Sequence, residues 1–326
     1  MCTAITYKNY FGRNLDLEYH YQESVTITPR NYAWQFRYKA APKKQYAMIG
    51  VATVVDDYPL YYDATNEAGL SMAGLNFPDN AVYQDIALRS DNICSFELIP
   101  WILCQCKTTD EASVLLSQIS ICNRPFNDQF PTSALHWIIA DKERSITVEP
   151  MKDGLHIYEN LVGVLTNNPP FPYHLQNLCN YLNLTADIPE NRFSNQIILT
   201  PYSRGLGAMG LPGDLSSSSR FIRAAFVKLN SRSGESENSA VSQFFHILKS
   251  VEQQYGCVKV GNEYEKTIYS SCCNIDKGIY YYTTYDNSAI TGVDMHAENL
   301  DGKKPICYPL IALKEYPIIN LKMRQS

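Results

Sequence analysis

The chain has 326 residues, 45% of them hydrophobic, and a formal net charge of −5, so it can bury a large core, and its mildly acidic balance without a basic stripe argues against a nucleic-acid partner. No apolar run approaches membrane length, and the first residues have neither a charged n-region nor an apolar h-region, so a cytoplasmic protein without membrane contact is expected. Ten cysteines in that compartment are expected to be reduced; Cys104-x-Cys106 and Cys272-Cys273 lack zinc spacing and no His pair completes them, so no metal or cofactor is expected.

Cys2 to Tyr7 alternates as a strand does, and Phe11 to Asp16 reads as a second short strand carrying charges. Period two sets Asn14 and Asp16 on one face and Arg13 on the other, unless Gly12 marks a bulge. An antiparallel pairing that turns at Lys8–Asn9 returns Arg13 and Asp16 to Cys2; the alternative for both is a surface ion pair. Val25–Thr28 and Tyr46–Val55 are further strands, and Leu60–Thr65 and Leu70–Phe77 form a hairpin turning at Asn66-Glu-Ala-Gly69. Phe96 to Cys106 has helical spacing, and Thr108-Thr-Asp-Glu111 resembles a capping box ahead of Ala112–Ile119. Strands return at His136–Ala140, Ser145–Pro150 and Leu155–Tyr158; His136 reads as an ordinary strand histidine, and the remaining histidines show no metal pattern. Residues 173–183, 218–230 and 239–255 are helical, the last with a stripe of Val241, Phe244, Phe245, Leu248 and Val251 and a stop at Gly256. Gly205-Leu-Gly-Ala-Met-Gly210 matches a dinucleotide fingerprint as text, but Leu211-Pro-Gly-Asp214 breaks the chain where a helix would have to open, so no nucleotide is expected. A hairpin of Thr267–Asn274 and Ile279–Tyr285 closes the series. Length alone allows two domains; without a Pro/Ser/Gly-rich linker or a charge block, a single domain over residues 1–326 is expected. The element order predicts an α+β protein with mostly antiparallel sheets.

Cys2 directly follows Met1, and a small second residue suits removal of Met1. The new terminus would carry a thiol and a free α-amine on one residue, a nucleophile with its own base attached. A guanidinium beside a thiol favours its anion, and a carboxylate beside an amine holds it. Without such neighbours, a cysteine at position two is chance.

Met1-Cys-Thr followed by Phe11-Gly-Arg-Asn-Leu-Asp16 resembles the choloylglycine hydrolase family of N-terminal-nucleophile hydrolases, which includes bile salt hydrolases and penicillin V acylases. The likeness continues through Thr28-Pro-Arg30, Asn66 to Pro78, Leu165-Thr-Asn167 and Pro212 to Phe221, in order along nearly the whole chain. It implies a four-layer αββα sandwich, removal of Met1, a tendency to tetramers, and a catalytic set of Cys2, Arg13, Asp16, Asn76, Asn167 and Arg220. Asn76 and Asn167 would be the oxyanion and substrate-positioning pair, Asn76 at a strand end where its side-chain amide can be held rigidly; read without the family, both are turn asparagines. Arg220 falls near a helix N-terminus, where the dipole disfavours a cation, so its presence asks for a reason; reaching the catalytic site is the family's answer, and a solvated Arg is the alternative.

Penicillin V acylases tend to carry Tyr at the Asn76 position and bile salt hydrolases Asn, which implies glycine- or taurine-conjugated bile acids as the small-molecule substrates. A steroid needs an apolar wall, for which Leu15, Leu17, Tyr19, Tyr58, Phe126, Phe130 and Leu135 are candidates; each serves equally well as plain core. By resemblance, the loop at Pro201-Tyr-Ser-Arg-Gly205 lies near the amino-acid end of the substrate and can come from a neighbouring subunit. Arg204 would there favour taurine conjugates over glycine conjugates, the alternative being a solvated loop residue. Three other readings stand beside this one: an acylase of the same family acting on penicillin V or acyl-homoserine lactones, a catalytically silent binding protein on the same fold, and a papain-type Cys–His enzyme, for which no cysteine here has the flanking residues.

Overall fold

The computed structural model describes residues 1–85, 91–312, 316 and 318. Its strands, in chain order, are β1 (Cys2–Tyr7), β2 (Tyr10–Leu17), β3 (Ser24–Thr28), β4 (Met48–Val55), β5 (Tyr58–Asn66), β6 (Ser71–Asn76), β7 (Asn92–Cys94), β8 (Ser120–Cys122), β9 (Leu135–Ala140), β10 (Ser145–Met151), β11 (Gly154–Glu159), β12 (Val164–Leu165), β13 (Val258–Val260), β14 (Glu263–Asn274), β15 (Ile279–Thr284), β16 (Asn287–Asp294) and β17 (Ile306–Pro309). The α-helices are α1 (Leu98–Leu103), α2 (Thr109–Leu116), α3 (Phe171–Leu178), α4 (Ser217–Asn230) and α5 (Glu237–Lys249).

One antiparallel sheet runs β12-β1-β2-β14-β15-β16, with β13 beside β14, and a second runs β11-β10-β9-β6-β5-β4-β3-β17. Ile5, Phe11 and Ile268 of the first sheet and Val51, Ala73 and Ile138 of the second share one core with Phe221 of α4 and Phe244 of α5. The other face of the second sheet buries Met72, Trp137 and Ile139 against Leu98, Ile102 and Leu116 of α1 and α2. The order of layers is therefore α4/α5, first sheet, second sheet, α1/α2, the four-layer αββα sandwich. No helix among the described residues is long and apolar enough to cross a membrane.

Several elements depart from their sequence signals. The 96–106 segment begins as a 3-10 turn at Ser95–Glu97 and is α-helical only at Leu98–Leu103. Thr108 caps α2 by accepting from Glu111 N, but the Glu111 carboxylate takes Lys107 N in place of the Thr108 nitrogen. The helix expected over 173–183 is α3 followed by a 3-10 turn at Cys179–Tyr181. Helix α5 starts at a Ser236 cap and stops at Lys249 rather than 255. Val251 remains buried beyond it, and the chain straightens where Gln253 meets Thr267 of β14: Thr267 N donates to Gln253 O, and Gln253 N donates to the Thr267 hydroxyl. The polar strand β16 and the edge strand β17 carried no clear sequence signal; the proline of β17 is tolerated because edge strands have unpaired positions. Tyr280 and Tyr282 of the closing hairpin are buried in the core.

Gly12 does not mark a bulge. The register of β2 against β14 slips between Thr267 and Tyr269 instead, while a Cβ on Gly12 would lie 2.0 Å from the Ser271 carbonyl oxygen. The close approach of two backbones is what demands glycine here. Period two is preserved through β2: Arg13 reaches the second sheet and Asn14 donates to Leu248 O of α5 at 3.0 Å. Gly12→Ala should destabilise the fold by about 1–3 kcal/mol or more, as overpacking a rigid site does, and should lower activity by displacing Arg13. An unchanged melting temperature would show that the two strands separate without cost.

Candidate active site

Cys2 opens β1 opposite Leu15 of β2. The pleat turns its side chain to the face shared by Leu15 and Arg13, between the two sheets, where it is only 3% exposed. On the other flank β12 pairs with β1 through Ala4 and Leu165. Continuing that antiparallel register brings Asn167 level with Cys2, and the Cys2 nitrogen donates to Asn167 Oδ1 at 2.9 Å.

Every polar atom of Asn167 has a partner. Its nitrogen donates to Ser217 Oγ at 2.8 Å, its Nδ2 donates to Asn76 O at 2.7 Å, and its carbonyl accepts from His174 Nε2 at 3.0 Å. Besides Cys2, its Oδ1 accepts from Arg220 Nη2 at 2.7 Å. Burial pushes His174 down to about 4, so the ring is neutral near neutral pH and donates through Nε2. Asn76 enters through its main chain: the side chain at the end of β6 is exposed, so the expected rigid hold on that amide is absent.

Arg220 is fully buried, not solvated. It follows a helix start capped by Ser216, which accepts from Ser219 N. Asp214 takes bonds from Ser216 and Ser219 and is held down to about 2 by them. The Arg220 guanidinium donates from Nε to Leu215 O at 3.0 Å, and from Nη1 to Cys2 O at 2.5 Å and Thr3 Oγ1 at 2.6 Å. Burial disfavours its charge, and Asp16, Cys2 and Glu265 oppose that loss. Asp16 lies on the helix side of β2: Oδ1 accepts from Thr267 Oγ1 at 2.6 Å, and Oδ2 stands 4.0 Å from Arg220 Nη1. Oδ2 has no hydrogen-bond donor among the described residues. Burial raises the Asp16 carboxyl above its ordinary range, against the chain-terminal ammonium, Arg220, Thr267 and Arg13. The Met1 ammonium donates to Asp16 O at 2.7 Å and to the Glu265 carboxylate.

Arg13 occupies the opposite side. Ladder pairing between β5 and β6 ends at Asp63 and Ala73, which frees the carbonyls just beyond. Arg13 Nη1 takes both, Tyr62 O at 3.0 Å and Gly74 O at 2.5 Å. Burial lowers its pKa, but the Cys2 thiol, Tyr269, Asp63 and Asp16 outweigh this and raise it above the ordinary value. Asp63 itself accepts 2.6 Å bonds from the Tyr269 and Tyr280 hydroxyls across the sheet interface. The alternative of a surface ion pair between Arg13 and Asp16 is thus set aside: both are buried, on opposite faces of β2. Thr3, Asp63, Ser217, Thr267 and Tyr269 were not singled out by sequence. Thr267 and Tyr269 begin the β14 hairpin segment that pairs with β2, a signal that could have found them.

Residues 2–308 match the family model for linear amide C–N hydrolases of the choloylglycine hydrolase family. The chain belongs to that family. It is 53% identical to a bile salt hydrolase/transferase of Lactiplantibacillus plantarum over 98% of this chain and 100% of that one, and 38% identical to a bile salt hydrolase/transferase of Clostridium perfringens over 93% and 95% of the two. The fold superposes on the C2A mutant of conjugated bile acid hydrolase from Clostridium perfringens with a TM-score of 0.88 at 35% identity, covering 98% of this chain and 100% of that one. Penicillin V acylase from Agrobacterium tumefaciens shares the fold, with a TM-score of 0.70 at 19% identity over 94% and 90%.

In this amide hydrolase, the apolar candidates divide between two places. Leu15 is buried in the core that holds Cys2, with Leu17 packed against it. Tyr58 and Phe126 have ring centroids 5.4 Å apart in the second core, and Phe130 lies 6.4 Å from Phe126. Leu135 packs on that second cluster beside Asn76, and Tyr19 is exposed. Arg204 is exposed. Among the described residues no three His, Cys, Asp or Glu side chains converge to hold a metal.

Arg220→Lys keeps a charge but loses the fork that joins Cys2 O, Thr3 and Asn167. Its activity should fall by at least about 100-fold, with a stability loss of about 3–5 kcal/mol for a broken buried charge network. Wild-type turnover in this variant would show that a point charge suffices.

Proposed function

We propose that the mature enzyme begins at Cys2 and hydrolyses the amide bond of glycine- or taurine-conjugated bile acids. The observation that carries the reading is Asn167, whose one side chain joins the Cys2 nitrogen, the Arg220 guanidinium and the end of β6. Residues 1–326 are read as one catalytic domain, lacking Met1 when active. The bile salt hydrolase/transferases and the conjugated bile acid hydrolase that the chain resembles support the substrate class, and Asn76 supports it over penicillin V.

In this mechanism the Cys2 amine takes the thiol proton while the sulfur attacks the substrate carbonyl carbon. Arg13 stabilises the thiolate, and Asp16 Oδ2 accepts from the ammonium. Asn167 Nδ2, with Asn76, faces the oxyanion. The intermediate expels the amino acid nitrogen, which leaves with the proton from the Cys2 ammonium, and the acyl group stays on sulfur as a thioester. Water attacks that thioester with the amine again as base, releasing the free bile acid and the thiol. An amine in place of water would give a new amide, in keeping with the hydrolase/transferase names of the relatives. Arg220 holds the Cys2 carbonyl and Asn167 in place. Leu15, Leu17, Tyr19, Tyr58, Phe126, Phe130 and Leu135 are assigned to the steroid. Assembly as a homotetramer in the cytoplasm belongs to the same reading. The exposed apolar side chains Leu182, Phe193, Ile198 and Tyr202, which precede Arg204, support association between copies, which would bring Arg204 to the substrate of a neighbouring copy.

Cys2→Ala should abolish release of glycine and taurine while the protein stays folded, and Cys2→Ser should retain at most a trace. Intact mass of active enzyme should show Met1 absent; full activity with Met1 retained on every molecule would rule out the amine as base. In the same assay on taurocholate and glycocholate, wild type should favour taurocholate, and Arg204→Gly should lower that ratio. An unchanged ratio assigns Arg204 to solvent.

A further inference from the structure

We infer that His136 and Glu149 are positioning residues for the hydrolysis, a buried brace that holds Asn76 and Asn167 at one separation. The inference rests on the roles proposed above for those two asparagines. Both brace side chains are fully buried, yet neither touches Cys2, Arg13, Asp16 or Arg220. His136 projects from β9 and Glu149 from the adjacent β10. His136 Nδ1 lies 3.0 Å from Glu149 Oε1, and Nε2 lies 2.9 Å from Thr166 O. A carbonyl can only accept, so Nε2 carries a hydrogen and donates to Thr166, while one proton is shared between Nδ1 and the carboxyl.

The brace grips the 166–171 segment at both ends. His136 holds the carbonyl immediately before Asn167. Both Glu149 oxygens accept from Phe171 N, at 3.0 and 3.1 Å, the first residue of α3. That helix has no side-chain cap of its own, since Pro170 stands at the cap position, and its start favours a carboxylate. Asn76 is reached by a different contact: the ring of Phe77, its neighbour, stacks on His136 with centroids 4.2 Å apart and planes 5° from parallel. One imidazole therefore touches the chain beside each asparagine. Such a pair is costly to bury where apolar side chains would fill the volume; what it adds is direction at two main-chain atoms of the segment that carries Asn167 Oδ1 to Cys2.

The test compares variants of the full-length enzyme on taurocholate and glycocholate. Glu149→Gln can still donate to His136 Nδ1 and accept from Phe171, so kcat should stay within about 5-fold of wild type. Glu149→Leu, and His136→Phe, which keeps a ring for Phe77 but no donor, should each lose about 100-fold or more in kcat while KM changes by less than about 3-fold, the pattern of a group acting on the transition state. Phe77→Leu removes the stack alone and should cost about 10-fold in kcat. The brace is overturned if Glu149→Leu and His136→Phe keep wild-type kcat, if the loss is in KM, or if Glu149→Gln is as impaired as Glu149→Leu. Should the two severe variants not fold, Phe77→Leu decides alone, and an unchanged kcat overturns the proposal. Wild type and Cys2→Ala run beside them: an inactive wild type or an active Cys2→Ala would refute the catalytic reading itself, independently of the brace.

Discussion

A guanidinium taken out of water must find its acceptors in protein, and the arrangement around Arg220 follows from that requirement. The side chain is fully buried and shares its donors among Leu215 O at the start of its own helix, Cys2 O and Thr3 Oγ1 on β1, and Asn167 Oδ1 beyond β12. Leaving any of these unpaired would incur the desolvation cost of a buried charge. The helix layer, the terminal strand and the loop after β12 are therefore fixed relative to one another by one planar group. A helix start is a poor place for a cation, and the sandwich accepts that cost because the position points into the first residues of the chain.

The second constraint is the pleat of β2. A strand buried on both faces presents successive residues to different layers, and Arg13 and Asp16 are three apart. They consequently sit on opposite sides of Cys2, Arg13 toward the second sheet and Asp16 toward the helices. Their charges therefore do not meet in a direct pair: Arg13 donates to the Tyr62 and Gly74 carbonyls of the second sheet and Asp16 accepts from Thr267 of β14. The bulge that permits β14 to follow β2 lies at Thr267–Tyr269. Those two residues carry hydroxyls that reach Asp16 and Asp63, so the ladder irregularity and the second layer of polar contacts arise from the same few residues.

Charge at this site is maintained by mutual support in a dry environment. Burial alone raises Asp16 and disfavours Arg220. The opposing attractions come from within the group: Arg220 and Arg13 on Asp16, Asp16 and Cys2 on Arg220. Few of these groups have water to fall back on, which is why hydrogen bonds from neutral partners such as Thr3, Thr267 and the Tyr62 and Gly74 carbonyls are as much a part of the site as the charges.

By itself the sequence determined most of the local elements and pointed to one part of the candidate site, Cys2, Arg13, Asp16, Asn76, Asn167 and Arg220. Alternation set β1 and β2, the turn at Lys8–Asn9 brought Arg13 and Asp16 back to Cys2, the apolar stripe set α5, and the motif order along the chain pointed to the family and its αββα layers. These follow from short-range chemistry, period two or 3.6 and turn preferences, which neighbouring residues carry. Only the tertiary structure decided that Gly12 answers a backbone contact with Ser271 and not a bulge, that Asn76 engages Asn167 through its carbonyl, that α5 ends at Lys249, and that His136 and Glu149 lie behind both asparagines. Each of these depends on a partner distant in the chain, such as Ser271 for Gly12, Asn167 for Asn76 and Thr166 for His136, and such partners are chosen by sheet register and layer packing, which no local pattern encodes.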